Sequence, residues 1–126
     1  MDASPPDIGI IVAVVYDDDA ILDALQLLLA ASGWKVRTYR SGETFVDDLS
    51  ENTPDCLVLD SHLPGLSGAD VARALSTRYP NIPIIGITAQ HGSRLANEVL
   101  SAGANAMLTT PIDAELILSK VQNAIS

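Results

Sequence analysis

A doubly wound parallel α/β sheet is the fold this sequence predicts, and three observations carry it. Strand-like and helix-like patterns alternate five times along the chain. The stretches read as strands are short, and the first of them, Ile8 to Val15, is nearly continuous in apolar residues, as a strand covered on both faces is. With 126 residues and 48% hydrophobic content, the chain has the length of one domain and the apolar side chains to fill a core of that kind. Strict βα alternation in one small domain then implies right-handed crossovers between parallel strands.

The lead Met1-Asp2-Ala3-Ser4-Pro5-Pro6-Asp7 is polar and reads as flexible, so the folded domain is expected over residues 8–126. Ile8 to Tyr16 is the most continuous apolar run and is expected at the centre of the sheet. Ala20 to Ser32 carries Ile21, Leu22, Leu25, Leu28 and Leu29 at helical spacing, with an aspartate before them as cap and Gly33 as the stop. Trp34 to Tyr39 reads as a second strand, and Ser41 caps a helix reaching about Ser50. The third strand is the apolar run Cys56-Leu57-Val58-Leu59, which ends in Asp60 before a Pro-Gly turn.

Ser67 to Tyr79 predicts a third helix with Val71, Leu75 and Tyr79 on one face and Pro80 as its terminator. Ile82 to Thr88 predicts a fourth strand, with Pro83 near its start where a missing donor does least harm. His91 to Ala102, carrying Leu95, Val99 and Leu100, reads as a helix stopped by Gly103. Asn105 to Thr109 is a short fifth strand broken by Pro111, and Ile112 to Ile125 is a last amphipathic helix with Ile117, Val121 and Ile125 in step.

Composition narrows the function classes. A net charge of −9 with only seven Lys and Arg makes this domain a poor binder of nucleic acid, so proteins, or phosphate accompanied by a cation, are the expected partners. The single cysteine, Cys56, lies in an apolar strand and reads as a buried packing residue in a reducing compartment. There is no basic, apolar leader and no run long enough to span a membrane, which points to the cytoplasm.

The chemistry is expected at strand ends, because ligands of open α/β sheets bind outside the carboxyl ends of the strands. The first strand ends at Asp17 and Asp18, the third at Asp60, the fourth at Thr88, and the fifth at Thr109 and Thr110. Clustered carboxylates repel unless a hard cation sits among them, and Mg²⁺, which keeps several waters, suits so open a donor set. Asp60 can then act as an in-line nucleophile toward a phosphoryl group, with the Thr88 hydroxyl donating to a phosphoryl oxygen.

These landmarks, Val14-Val15-Tyr16-Asp17-Asp18-Asp19, Leu57-Val58-Leu59-Asp60 with Leu63-Pro64-Gly65-Leu66-Ser67-Gly68, Ile87-Thr88-Ala89 and Ala102-Gly103-Ala104, resemble those of bacterial response-regulator (CheY-like) receiver domains over nearly the whole chain from Ile8. The wording around the third strand is most similar to receivers of the nitrogen-fixation and LuxR-output type. The resemblance implies a flavodoxin-like three-layer sandwich with strand order 2-1-3-4-5. It implies two-component signalling, in which Asp60 accepts a phosphoryl group from a sensor histidine kinase or phosphotransfer protein. It further implies Mg²⁺ held by Asp17, Asp60 and the backbone carbonyl of His62, and a switch surface of helix four, strand five and helix five that can also support a homodimer. Such a domain assists its own phosphotransfer and dephosphorylation without being a turnover enzyme, and it either stands alone or serves an output domain outside this chain.

Residue-by-residue transfer exposes departures. The family's two adjacent acids fall on Tyr16 and Asp17, so the first is a tyrosine, and Asp18 is the candidate to fill in for it. The family's lysine is replaced by Thr110 ahead of Pro111, while Lys35 and Lys120 fall on strand two and helix five. Arg94 is the nearest candidate for a replacement cation. The aromatic switch residue is Met107, which can repack but cannot swing a ring. Asp19 reads as a helix N-terminal acid, His62 and His91 as solvent-facing, and Trp34 as packing. Two function classes follow: a phosphoacceptor domain, favoured by Asp17, Asp60 and Thr88, or a pseudo-receiver that binds a partner without phosphorylation, favoured by Tyr16, Thr110 and Met107. A haloacid-dehalogenase-type phosphatase would want an acid where His62 stands, and no glycine-rich nucleotide loop is present.

Overall fold

The computed structural model describes residues 9–126; the lead over residues 1–7 and the Ile8 end of the first predicted strand lie outside the described residues. Five strands, β1 (Ile11–Val15), β2 (Lys35–Tyr39), β3 (Cys56–Asp60), β4 (Ile84–Thr88) and β5 (Ala106–Thr109), alternate with five helices. These are α1 (Asp19–Ala30), α2 (Gly42–Asp48), α3 (Gly68–Arg78), α4 (Arg94–Ser101) and α5 (Ala114–Ile125). All strand pairs are parallel, in the order β2-β1-β3-β4-β5. This is the flavodoxin-like arrangement the resemblance implies.

The centre of the sheet is β3, not β1 as the apolar run suggests. Three internal strands are apolar up to their last residue or beyond, so continuity alone does not say which lies in the middle; the chain turns back after β2, and β3 takes the far side of β1. That reversal makes the β1/β3 border the switch point where a crevice opens at the strand ends.

Period-two alternation sends side chains to two cores. Ala13, Val15, Leu57, Leu59 and Ile84 pack with Phe45, Val71, Leu75 and Val99 under α2, α3 and α4. Val12, Val14, Cys56, Val58, Ile85 and Ile87 pack with Leu22, Leu25, Leu29, Ile117 and Val121 under α1 and α5. Cys56 is fully buried, and Trp34, partly buried, packs against the second cluster.

Every helix starts at a side-chain cap. Asp18, Ser41, Ser67, Ser93 and Asp113 each accept the backbone N–H three residues on, meeting one of the orphan donors of the first turn. Caps explain why α4 starts at Arg94 rather than His91 and α5 at Ala114 rather than Ile112. On α4 the buried residues are Ala96 and Val99, while Leu100 is 41% exposed, so the inward stripe is narrower than the apolar pattern suggests.

Candidate functional site

Asp60 closes β3 and is 7% exposed as a residue, beside Ser61 and Thr88, which are also buried. Its Oδ1 accepts the backbone N–H of His62 at 3.0 Å, and among the described residues its other oxygen has no hydrogen-bond partner. Burial pushes the carboxyl up to about 6 from an ordinary 3.8; the His62 N–H opposes that, and the charge of Asp17 adds to it. Among the described residues neither Asp60 nor Asp17 forms a salt bridge. The strand end therefore holds a desolvated acid with no fixed cation.

The three consecutive acids after β1 have separated duties. Asp18 caps α1, its Oδ1 taking the Ile21 N–H at 3.1 Å, and Asp19 in the first turn is gripped through both oxygens by the Arg40 guanidinium at the end of β2, 2.6 Å from Nε. Asp17 alone is left to face Asp60. The expectation that several acids gather is corrected accordingly: among the described residues no three His, Cys, Asp or Glu side chains come together as a metal-holding group. Of the donors that the resemblance implies for a hard cation, Asp17, Asp60 and the carbonyl of His62, the two acids are left without a salt bridge among the described residues. Those are all oxygens, and few, which fits an ion that keeps its waters better than one that needs a closed cage.

Tyr16 lies one residue beyond the last β1–β3 pair, Val15↔Leu59, so it stands beside Asp60 in the parallel register. Its N–H is held by the Tyr39 carbonyl at 3.1 Å, and the residue is 7% exposed. Burial, then the charge of Asp60, then those of Asp17 and Asp18, push its phenol up to about 12, so it stays a neutral donor.

On the other side of the crevice Thr88 and Thr110 supply hydroxyls and no lysine or arginine. The Thr88 hydroxyl is tied to Gln90, donating to its carbonyl at 3.2 Å and accepting its N–H at 3.3 Å. Ser61, His62, Thr88, Ala89, Gln90, Ser93 and Leu95 line a cavity of about 330 Å³ there. Thr110 is half-buried, and its N–H bonds the Thr88 carbonyl at 2.9 Å, so β5 ends tied to β4 without presenting a cation. Arg94 is no replacement: its side chain is 84% exposed and approaches Glu98 at 4.0 Å. Lys35 and Lys120 sit on β2 and α5 as expected. Met107 turns inward over Gly86, where an added Cβ would come within 2.6 Å of its sulfur.

Three contributors escape a reading of side-chain chemistry. Gln90 and Ser93 matter through the cavity wall, and Gly68 matters through closeness, since a Cβ there would lie 2.7 Å from the Asp60 carbonyl oxygen. The only sequence signal for them is position, just after Thr88 and at the start of α3.

The chain has relatives in sequence and in fold. The response regulator TmoT of Ectopseudomonas mendocina is 33% identical over 115 residues, which is 91% of this chain and 52% of that protein, so the chain spans about half the length of this relative. A solved response regulator described as putative, from Chloroflexus aurantiacus, superposes with a TM-score of 0.87 at 29% identity, covering 93% of this chain and 98% of that one. The receiver domain of the Pseudomonas aeruginosa sensor histidine kinase PA1611, solved with magnesium in its active-site cleft, shares the fold at a TM-score of 0.86 and 24% identity, covering 93% and 98%. Residues 12–122 match the response regulator receiver domain. With a buried acid at the end of β3, the 2-1-3-4-5 sheet and that match along most of its length, the chain belongs to the receiver domains of two-component response regulators.

Proposed function

We propose that this chain accepts a phosphoryl group on Asp60 from a phosphohistidine of a sensor kinase or phosphotransfer protein. The observation that carries this reading is the Asp60 carboxyl itself: buried, at the switch point of the sheet, with one oxygen held by the His62 N–H and the other unengaged. In the transfer the free oxygen attacks phosphorus in line, the P–O bond forms as the P–N bond breaks, and the electron pair leaves with the imidazole. Asp17, Asp60 and the His62 carbonyl are the groups to hold Mg²⁺, as fits the magnesium in the PA1611 receiver. Bound there, Mg²⁺ supplies the positive charge that lets two anions approach. The Thr88 hydroxyl leaves its weak bond with Gln90 to donate to a phosphoryl oxygen, and α4, β5 and α5 respond, Met107 repacking over Gly86. The domain is a switch that assists its own loading and unloading rather than a turnover enzyme. It acts in the cytoplasm, with an output domain beyond this chain as the half-length match to TmoT suggests and a homodimer through α4, β5 and α5.

A second reading, a pseudo-receiver that binds partners without phosphorylation, draws on Thr110 and the lack of any cation paired with Asp60 among the described residues. Incubation with a small phosphodonor and Mg²⁺, read as intact mass beside Asp60→Asn, separates the two. One phosphoryl adduct that needs both Mg²⁺ and Asp60 supports the first; no adduct on folded protein, with a competent receiver labelled alongside, supports the second.

A further inference from the structure

Tyr16 occupies a position that the phosphoacceptor reading has not used. In the parallel register β1 and β3 pair through Val14↔Val58 and Val15↔Leu59. The next step sets Tyr16 against Asp60. Val14 and Val58 point into the same core cluster, so two residues further on Tyr16 and Asp60 share that face. Neighbours on one face of a sheet bring their side chains into contact range.

The phenol has no other employment. Among the described residues its hydroxyl has no hydrogen-bond partner, although the ring packs in the α1/α5 cluster and the residue is 7% exposed. Nor is the hydroxyl sealed away, since among those residues no fully buried side-chain oxygen lacks a partner. The ring is buried while its hydroxyl stays open to the rim of an anionic pocket, the apolar body and polar tip for which tyrosine is suited. The nearby acceptor is Asp60. Across the crevice Thr110 brings no charge, and Arg94 turns to Glu98.

We propose that Tyr16 donates its phenolic hydrogen to the phosphoryl group carried by Asp60, supplying part of the stabilisation for which the pocket has no lysine. This rests on the phosphoacceptor reading. A carboxylate at position 16 could only accept, and would need a cation between itself and the phosphoryl oxygens. The phenol donates directly and adds no negative charge.

The test is Tyr16→Phe, which keeps the ring and its packing and removes only the hydroxyl, compared with wild type and Asp60→Asn after thermal melts show all three folded. Each is loaded with a small phosphodonor and Mg²⁺, and two readouts are taken: the rate and lifetime of the adduct by intact mass, and the ³¹P resonance of the acyl phosphate. A hydrogen bond to a charged acceptor makes the expected effect roughly tenfold in rate or lifetime, with a displaced ³¹P resonance. Wild-type kinetics and an unmoved resonance in Tyr16→Phe, with the wild type labelled on Asp60, overturn the inference alone. A wild type that takes no phosphoryl group overturns the phosphoacceptor reading and the inference together.

Discussion

The two sides of the strand-end crevice are built on opposite principles. At the β1/β3 side stand a desolvated carboxyl, a second acid and a buried phenol, with no ion pair to Asp17 or Asp60 among the described residues. At the β4/β5 side Thr88 and Thr110 supply hydroxyls and no lysine or arginine, and the groups are internally satisfied: Thr88 is bonded to Gln90, the Thr110 N–H to the Thr88 carbonyl, and Met107 is packed over Gly86. One side stores electrostatic tension and the other has little to answer it with. The lesson is that charge compensation here has to arrive with the ligand, as a cation, a donor or both, instead of waiting in the fold.

The largest way to break that contrast is to remove the tension. A carboxyl at about 6 when folded and 3.8 when unfolded binds more protons in the native state between about pH 4 and 6, so its contribution to stability falls as pH rises through that window. Asp60→Asn should therefore be the more stable protein at pH 7.5 by on the order of 2–3 kcal/mol. At pH 4 the advantage should be nearly gone. Urea titrations at both pH values check this, and equal midpoints at pH 7.5 would mean that the carboxyl is not under tension.

Next in size, Gly68→Ala presses a methyl group against the Asp60 carbonyl oxygen at 2.7 Å and should destabilise the fold by about 2 kcal/mol. Amide chemical shifts should move at Asp60 and Ser61 rather than across the sheet. Thr110→Lys gives the neutral side the cation it lacks. At pH 7.5 it should raise stability by about 1 kcal/mol, and the gain should disappear in an Asp60→Asn background; a gain that persists there would come from somewhere other than the acid. The same substitution should strengthen phosphorylation-linked shifts at Met107.

Smaller again, Asp18→Ala should cost about 1 kcal/mol through its lost cap, whereas Asp18→Asn, a good cap itself, should cost little. Unchanged Mg²⁺ affinity in Asp18→Asn by calorimetry would show that this acid serves the helix. Arg40→Ala should be indistinguishable from wild type in thermal stability, because the Arg40–Asp19 pair is exposed on both sides.

Most of the scaffold was legible in the residues. Apolar runs located β1, β3, β4 and β5, the mixed stretch Trp34 to Tyr39 located β2, and helical spacing with caps and Gly or Pro stops located the helices, while Asp60 and Thr88 stand at strand ends as their positions before a Pro-Gly turn and after an apolar run predict. What could not be read was relational. Which internal strand is central depends on where the chain reverses, and apolar continuity is shared by β1, β3 and β4. Whether Asp18 is a cap or a ligand depends on an N–H three residues away, and Asp19 on an arginine 21 residues along. The face that Tyr16 presents follows from its register with β3, which no single stretch of sequence contains. Gly68 looks like an ordinary helix start until the Asp60 carbonyl is seen against it.

The central claim is that Asp60 receives the phosphoryl group, and the most direct measurement is to find the group on it. Protein loaded with a small phosphodonor and Mg²⁺ is reduced with borohydride, which converts an aspartyl phosphate to homoserine, and then mapped by peptide mass spectrometry. The account predicts homoserine at position 60, dependent on the phosphodonor and on Mg²⁺. Modification at another residue, or an unmodified Asp60 in folded protein while a competent receiver is converted alongside, would contradict it.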